Sequence, residues 1–429
     1  MPEVKHTADD VFGVSRDVPL NYVDREAVDG KFIQSLTRSH HIVIFGSSKQ
    51  GKTCLRKHCL NSDDYITVSC QNKWSLGDLH AAILKRAGYE VKQSTSHAVG
   101  GHYKLAASAS AEMKLPLVAK GGVDLDGQYE RDRSTEEVRV TLELDPLDAN
   151  DIIMALQEIN FRQYVAIEDF HYLPDQTQRD FSFALKTFHE QSKISFIITG
   201  VWREQNRLIA FNGDLTERVF SVDVDNWSRD DLARVIEAGE SLMNLQFAPD
   251  FKEVVLSECN DSVHMVQEAC RRACRESGVY ETADNHPTVG SADIANELLK
   301  QIVDEQGGRY NGFIMNFADG FQQTELEMPK WIIYSVLSSS IDDLEKGIRL
   351  REITRIIREK HPRGQRLNAG NVTQALSSAT SLQSEKGIRP IVIDYDGTNR
   401  NLHVVDKGFL IWLAHQDRSE LIADLDLIG

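Results

Sequence analysis

The first half of the chain alternates short apolar runs with segments of helical period. His41–Phe45 (HIVIF) is apolar after its histidine and stops at a glycine loop, the pattern of a buried strand. Residues 65–70 (YITVSC), 164–167 (YVAI), 194–199 (ISFIIT) and 219–224 (VFSVDV) are further β-rich runs. Among the segments between them, Phe181, Ala184, Leu185 and Phe188 recur at i, i+3, i+4 and i+7, one face of a helix. Strands alternating with helices predict an α/β fold, a parallel sheet covered on both faces.

Residues 93–145 interrupt this rhythm with a Ser-, Ala- and Gly-rich stretch, after which Val138, Val140, Leu142 and Leu144 alternate with polar residues. The pattern predicts a β-containing insertion. Ser228-x-x-Asp231 caps a helix that buries Leu232, Val235 and Ile236 before Gly239, and helical patterns continue to about residue 299. The Gly- and Asn-rich stretch 305–320 is the expected linker. Beyond it come three short helices: one over 331–337, one burying Leu350, Ile353 and Ile357, and one burying Val372, Ala375, Leu376 and Ala379. Ile391, Ile393 and Tyr395 then alternate before Asp396-Gly397-Thr398-Asn399, with Leu402 and Val404 on a return strand. The predicted organisation is an N-terminal segment 1–40, a sheet domain 41–227 with its insertion at 93–145, a helical lid 228–304, a linker 305–328 and a C-terminal module 329–429.

Composition narrows the class. An apolar content of 41% and a charged content of 26% are globular values. The sequence has no leader pattern, and no apolar run approaches the roughly 18 residues of a membrane span, so no membrane partner and a cytoplasmic setting are expected. The cysteines Cys54, Cys59, Cys70, Cys259, Cys270 and Cys274 have no metal-finger spacing and are expected as reduced thiols. The formal charge of −17 excludes coating of nucleic acid by bulk electrostatics. Residues 327–429 carry 14 Lys+Arg and 14 Asp+Glu, so the whole acidic excess lies in 1–326, and any nucleic-acid contact needs a local patch. Residues 346–366 hold eight Lys+Arg against two Glu. Arg351, Arg355 and Arg358 fall on one helix face and suit phosphates, while Asn371, Gln374 and Ser378 on the next helix suit base edges. The alternative is a solvated basic face, or a protein contact.

The strongest chemical signal is Gly46-Ser47-Ser48-Lys49-Gln50-Gly51-Lys52-Thr53, which fits G-x-x-x-x-G-K-[ST] at every position. Glycines let the backbone wrap round phosphates, and the loop N–H groups and the following helix N-terminus, including Cys54, face the anion. Lys52 then reaches the β/γ oxygens and Thr53 ligates Mg²⁺. ATP with magnesium is the implied cofactor. Such chemistry needs carboxylates at the end of a neighbouring strand, one for the metal shell and one for the attacking water. Glu168 and Asp169 supply them after 164–167, Glu168 assigned to the metal and Asp169 to the water, with the roles exchangeable.

On these motifs the chain resembles the AAA+ and STAND superfamily of P-loop ATPases over roughly residues 15–280. The resemblance implies that Thr199 is the sensor-1 residue on a strand between the P-loop and the acidic strand. It places Arg218, before the last core strand, as an arginine finger for a neighbouring subunit; pairing with Glu217 or Asp214 is the alternative. Tyr22-Val23-Asp24-Arg25 is similar to the N-terminal signature beside adenine, which points to Tyr22 and Arg25. In Asp261-Ser262-Val263-His264 the sequence departs from the family, with His264 near the usual sensor-2 position. Helices followed by a two-stranded wing resemble a winged-helix domain, and the combination resembles archaeal and eukaryotic replication initiators.

The resulting expectation is an ATP-hydrolysing homo-oligomer that contacts duplex DNA, in replication, transposition or anti-phage defence. The rival expectation is a nucleotide-gated switch with slow turnover, whose winged helix is an adaptor for an effector protein.

Overall fold

The computed structural model describes residues 5–13, 17–93, 105–110, 139–322 and 324–427. The chain enters the sheet at β1 (His41–Phe45), buried along its whole length, and turns through the glycine loop into the helix Lys52–Cys59. β2 (Tyr65–Ser69) follows, then the insertion strands β3 (Glu90–Gln93), β4 (Leu105–Ser110) and β5 (Arg139–Leu144). These three form a separate antiparallel sheet in the order β3-β4-β5. Val138 and most of the Ser/Ala/Gly-rich stretch lie outside the described residues.

β6 (Tyr164–Glu168), β7 (Phe196–Gly200) and β8 (Val219–Asp223) complete a five-stranded parallel sheet in the order β2-β6-β7-β1-β8. The strand carrying Thr199 therefore lies between the P-loop strand and the acidic strand. One face packs against helix Asp175–Gln191, whose Phe181, Leu185 and Phe188 are fully buried with Phe196. The other face carries Val28, Phe32 and Leu55.

The lid opens with a capping box between Ser228 and Asp231 and the helix Arg229–Met243. Gly239 does not end this helix. It leaves room for the ring of Phe12, which a Cβ would meet at 2.1 Å. Helices Pro249–Glu258, Val263–Glu276 and Ala292–Asp304 follow, and the short strands β9 (Gln246–Phe247) and β10 (Thr288–Val289) pair in parallel beneath them.

The stretch expected to link the modules is instead helical at Gly307–Ala318. Its glycines are outweighed by packing: Tyr310, Phe313 and Phe317 are fully buried, with Phe313 and Phe409 ring centroids 5.5 Å apart. The C-terminal module then runs helix Met328–Ser338, β11 (Ile348–Arg349), helices Leu350–Lys360 and Ala369–Ser377, and the hairpin β12 (Ile393–Asp396) and β13 (Asn401–Val404). Its antiparallel sheet has the order β11-β13-β12, the arrangement of a winged helix. Among the described residues no helix is long and apolar enough to cross a membrane.

Candidate functional site

The P-loop, the acid pair and Thr199 gather at the carboxyl ends of the parallel strands, the edge where open α/β sheets bind ligands. β1 runs out into Gly46, whose φ of 143° suits glycine, and a Cβ there would lie 2.8 Å from an Asp225 oxygen. This close approach lets the buried Asp225 clamp the loop. Its Oδ1 accepts the Ser47 N–H and its Oδ2 the Ser47 hydroxyl, both at 2.7 Å, while Arg203 donates to Oδ2 at 2.9 Å.

Lys52 is buried, and its Nζ donates to the Gly46 and Ser47 carbonyls at 3.0 and 2.5 Å. Burial pulls its pKa down to about 8, against the opposing pull of Asp225 and Glu168. An ammonium held by its own loop's carbonyls exchanges them readily for phosphate oxygens, which bear full charge. Thr53, exposed, follows on the same helix.

The acids differ in their surroundings. Glu168 ends β6, and its Oε1 accepts two N–H groups of Arg56 at 3.0 and 2.8 Å. Arg56 projects from the P-loop helix and stacks over Tyr65 at 4.2 Å. Asp169 follows with φ 58°, and burial, then the neighbouring Glu168, pushes its carboxyl pKa up. The Thr199 hydroxyl is buried, with no hydrogen-bond partner among the described residues.

Next to the loop is a cavity of about 280 Å³. It is lined by the loop residues Lys49, Gln50, Gly51, Lys52, Thr53 and Cys54 and by Tyr22, Val23, Trp227 and Val235. Asn21 and Gln267, also on its wall, exchange amide hydrogen bonds at 2.9 and 2.8 Å. Tyr22 is among the residues lining the cavity. Arg25 does not line the cavity: it lies 3.7 Å from the Trp227 ring centroid and donates to the Val224 carbonyl at 3.0 Å, tying the N-terminal segment to the end of β8. His264 lines the cavity and accepts from Lys49 Nζ at 3.1 Å. Burial, then Lys49, lowers its pKa to about 4, so a neutral ring occupies this position. Gln50 also binds the lid, donating to Asp261 O at 3.1 Å and accepting the Val263 N–H at 3.3 Å.

Arg218 stands at the other end of the sheet. Its carbonyl accepts the His41 N–H at 2.9 Å, and its guanidinium donates to Glu190 at 2.8 Å and to the Asp214 carbonyl. The length of β1, roughly 16 Å, separates it from the P-loop of its own chain.

In the C-terminal module the expected arginine stripe is largely committed. Arg355 pairs with Glu352 and with Glu359 at 3.0 Å, and Arg358 donates to the Leu367 carbonyl at 3.2 and 2.9 Å. Asn371 shares a capping box with Asn368, and Gln374 is exposed. A groove of about 650 Å³ between the second helix, the start of the third and the wing is lined by Arg349, Arg351, Arg358 and Arg400 with Asn399 and Asn401. Among the described residues no carboxylate lines it.

Sequence reasoning missed Asp225, Arg56, Asn21 and Gln267. The signal available for Asp225 was its place just past a buried run, where ligand-binding residues gather.

No protein-family model matches the chain, and no curated protein matches it. Solved structures do. The Walker-type ATPase of Pyrococcus abyssi is 12% identical, with a TM-score of 0.51 over 94% of this chain and 99% of that one. The Orc1 protein of Aeropyrum pernix, solved in complex with DNA, is 11% identical with a TM-score of 0.43, covering 99% and 100% of the two chains. Cdc6p of Pyrobaculum aerophilum is 12% identical with a TM-score of 0.41, covering 98% and 99%. At these identities the likeness is one of fold, and the Pyrococcus ATPase carries it: a P-loop sheet of the Walker type.

Proposed function

We propose, from the premise of a Walker-type ATPase fold, that this chain binds ATP with Mg²⁺ and hydrolyses it as a self-associating, cytoplasmic AAA+/STAND-like ATPase that contacts duplex DNA through its winged helix. The observation that carries the reading is the cavity whose wall joins Lys52 and Thr53 with Tyr22 and Trp227, groups suited to phosphates and to an aromatic base. Lys52 holds the β/γ oxygens, Thr53 the metal, and Thr199 offers its unpaired hydroxyl to the γ-phosphate. Since Arg56 already occupies Glu168, both tasks fall to Asp169, facing magnesium and water with Glu168 fixed beside it, in place of one acid for each. Arg218, remote from its own P-loop, serves a neighbouring subunit. Steady-state ATP turnover, with and without duplex DNA and over a range of protein concentrations, tests the reading; specific activity independent of dilution counts against the role of Arg218 in trans.

Asp169→Asn is expected to bind ATP normally and cleave it about 100-fold more slowly, since the carboxylate acts on metal and water rather than on the nucleotide. Wild-type turnover in this variant and in Glu168→Gln would put the catalytic acids elsewhere.

For DNA, the groove replaces the stripe. Arg351→Glu combined with Arg400→Glu should abolish binding and flatten a salt dependence of about −0.9 per phosphate neutralised, whereas Arg355→Glu should change little. Equal losses from both changes would sink the groove assignment.

A second reading, the nucleotide-gated switch, is favoured by the seat of the wing. Thr398 at its tip donates to Glu204 of the ATPase domain, and the Ser48 N–H of the P-loop is held by the Val405 carbonyl at 2.8 Å. Turnover that stays slow with DNA while a partner protein binds only the ATP form would put this reading first.

A further inference from the structure

The C-terminal module approaches the acid pair as well as the P-loop. Its helix Ala379–Glu385 packs against the 3₁₀ turn Phe170–Tyr172, which directly follows Glu168 and Asp169. Ile391 and Val405 of the module join Val201 and Tyr172 of the ATPase domain in a small apolar cluster. The Tyr172 N–H donates to the Asp169 carbonyl at 2.9 Å, so Tyr172 and the acid belong to one turn. Over the Tyr172 ring, 4.5 Å from its centroid, lies the guanidinium of Arg389. The ring fixes the cation by its face and leaves the N–H groups free to point elsewhere. Arg389 is exposed, and among the described residues its guanidinium makes no hydrogen bond or ion pair, unlike Arg207, which the same interface buries against Asp394. Its charge reaches the Asp169 carboxylate, where it opposes the effect of burial.

We propose that Arg389 is a positioning residue for ATP cleavage, delivered in cis by the C-terminal module: seated on Tyr172, it holds the turn that carries Asp169 and supplies positive charge on the acid side of the phosphate site. The proposal rests on the hydrolysis reading given above. It assigns the module a part in the reaction that does not depend on DNA, and makes docking of the module a condition for full turnover. The chemistry is unchanged: water attacks the γ-phosphorus and forms the new P–O bond of inorganic phosphate, the bond to the β/γ bridging oxygen breaks with its electron pair staying on that oxygen, ADP leaves, and the proton lost by the water passes through the phosphate to solvent. Arg389 acts on the geometry and field in which this occurs.

The test uses the full chain and single-turnover cleavage of bound ATP, with ATP affinity and steady-state kcat and KM measured alongside. Arg389→Ala, an exposed change, should lower the cleavage rate and kcat about 10- to 100-fold, leaving affinity and KM unchanged. Arg389→Lys should recover part of the loss, because it restores the charge without the planar stack. Tyr172→Leu, which removes the ring face, should show the same slowing with Arg389 present. Unchanged cleavage in Arg389→Ala overturns the proposal alone, as does a loss that Arg389→Lys fails to relieve or one accompanied by weakened ATP affinity. A wild-type chain that binds ATP and does not cleave it in a single turnover overturns both this proposal and the hydrolysis reading.

Discussion

Lys52→Ala is expected to abolish ATP turnover and to weaken nucleotide binding at least about 100-fold, as loss of a preorganised charge on transferring phosphoryl oxygens does. The reason is local. Lys52 Nζ is buried and donates to the Gly46 and Ser47 carbonyls, so the change removes a cation already held against the loop backbone and adds no replacement. The fold should survive, because the clamp between Asp225 and Ser47 does not involve the lysine. Nucleotide titration of the folded variant, followed by turnover at saturating ATP, is the measurement. Unchanged affinity and rate would remove the P-loop assignment and everything built on it.

Asp394→Ala is expected to destabilise the chain by about 3–5 kcal/mol, the cost of removing one partner of a buried ion pair. Asp394 is fully buried on β12, and its Oδ1 accepts from Arg207 at 2.8 Å and from the Thr380 hydroxyl at 2.9 Å. Burial opposes the charge on Arg207, and Asp394 then Glu204 overcome that, so the guanidinium stays ionised in the interface. Trp202, fully buried, lies 5.2 Å from the same guanidinium and reports on it. Denaturant unfolding followed by tryptophan emission should show the loss. Replacing both Arg207 and Asp394 by apolar residues of similar size should recover most of it. A single variant within about 1 kcal/mol of wild type would mean that the pair is open to water.

The parts of the fold that could be read from sequence were those whose physics is contiguous. β1, β6 and β7 are short apolar runs, and the P-loop fixes four residue types within eight consecutive positions, so both are visible in a short window. The winged helix was visible through helical period followed by period-two alternation. What stayed hidden joins distant residues: Asp225 lies 178 positions from Ser47, and Glu168 lies 112 from Arg56. Glycine misled twice. Gly239 reads as punctuation in the sequence, whereas it lies inside a helix with Phe12 filling the space of its missing side chain, and the glycines of 307–318 read as a linker, whereas aromatic burial pays for a helix there. The arginine stripe was overcounted for a reason that was in view, since Glu352 and Glu359 flank Arg355 at the spacings that pair on a helix.

The hydrogen bond from Ser48 to the Val405 carbonyl makes nucleotide and module thermodynamically reciprocal. A ligand that draws the loop amides toward phosphate changes the docking free energy of the module, and docking changes the affinity for that ligand by the same factor. If the proposed duplex in the basic groove favours one docking of the module, it would change nucleotide affinity without touching the nucleotide, and nucleotide would change its affinity by the same factor.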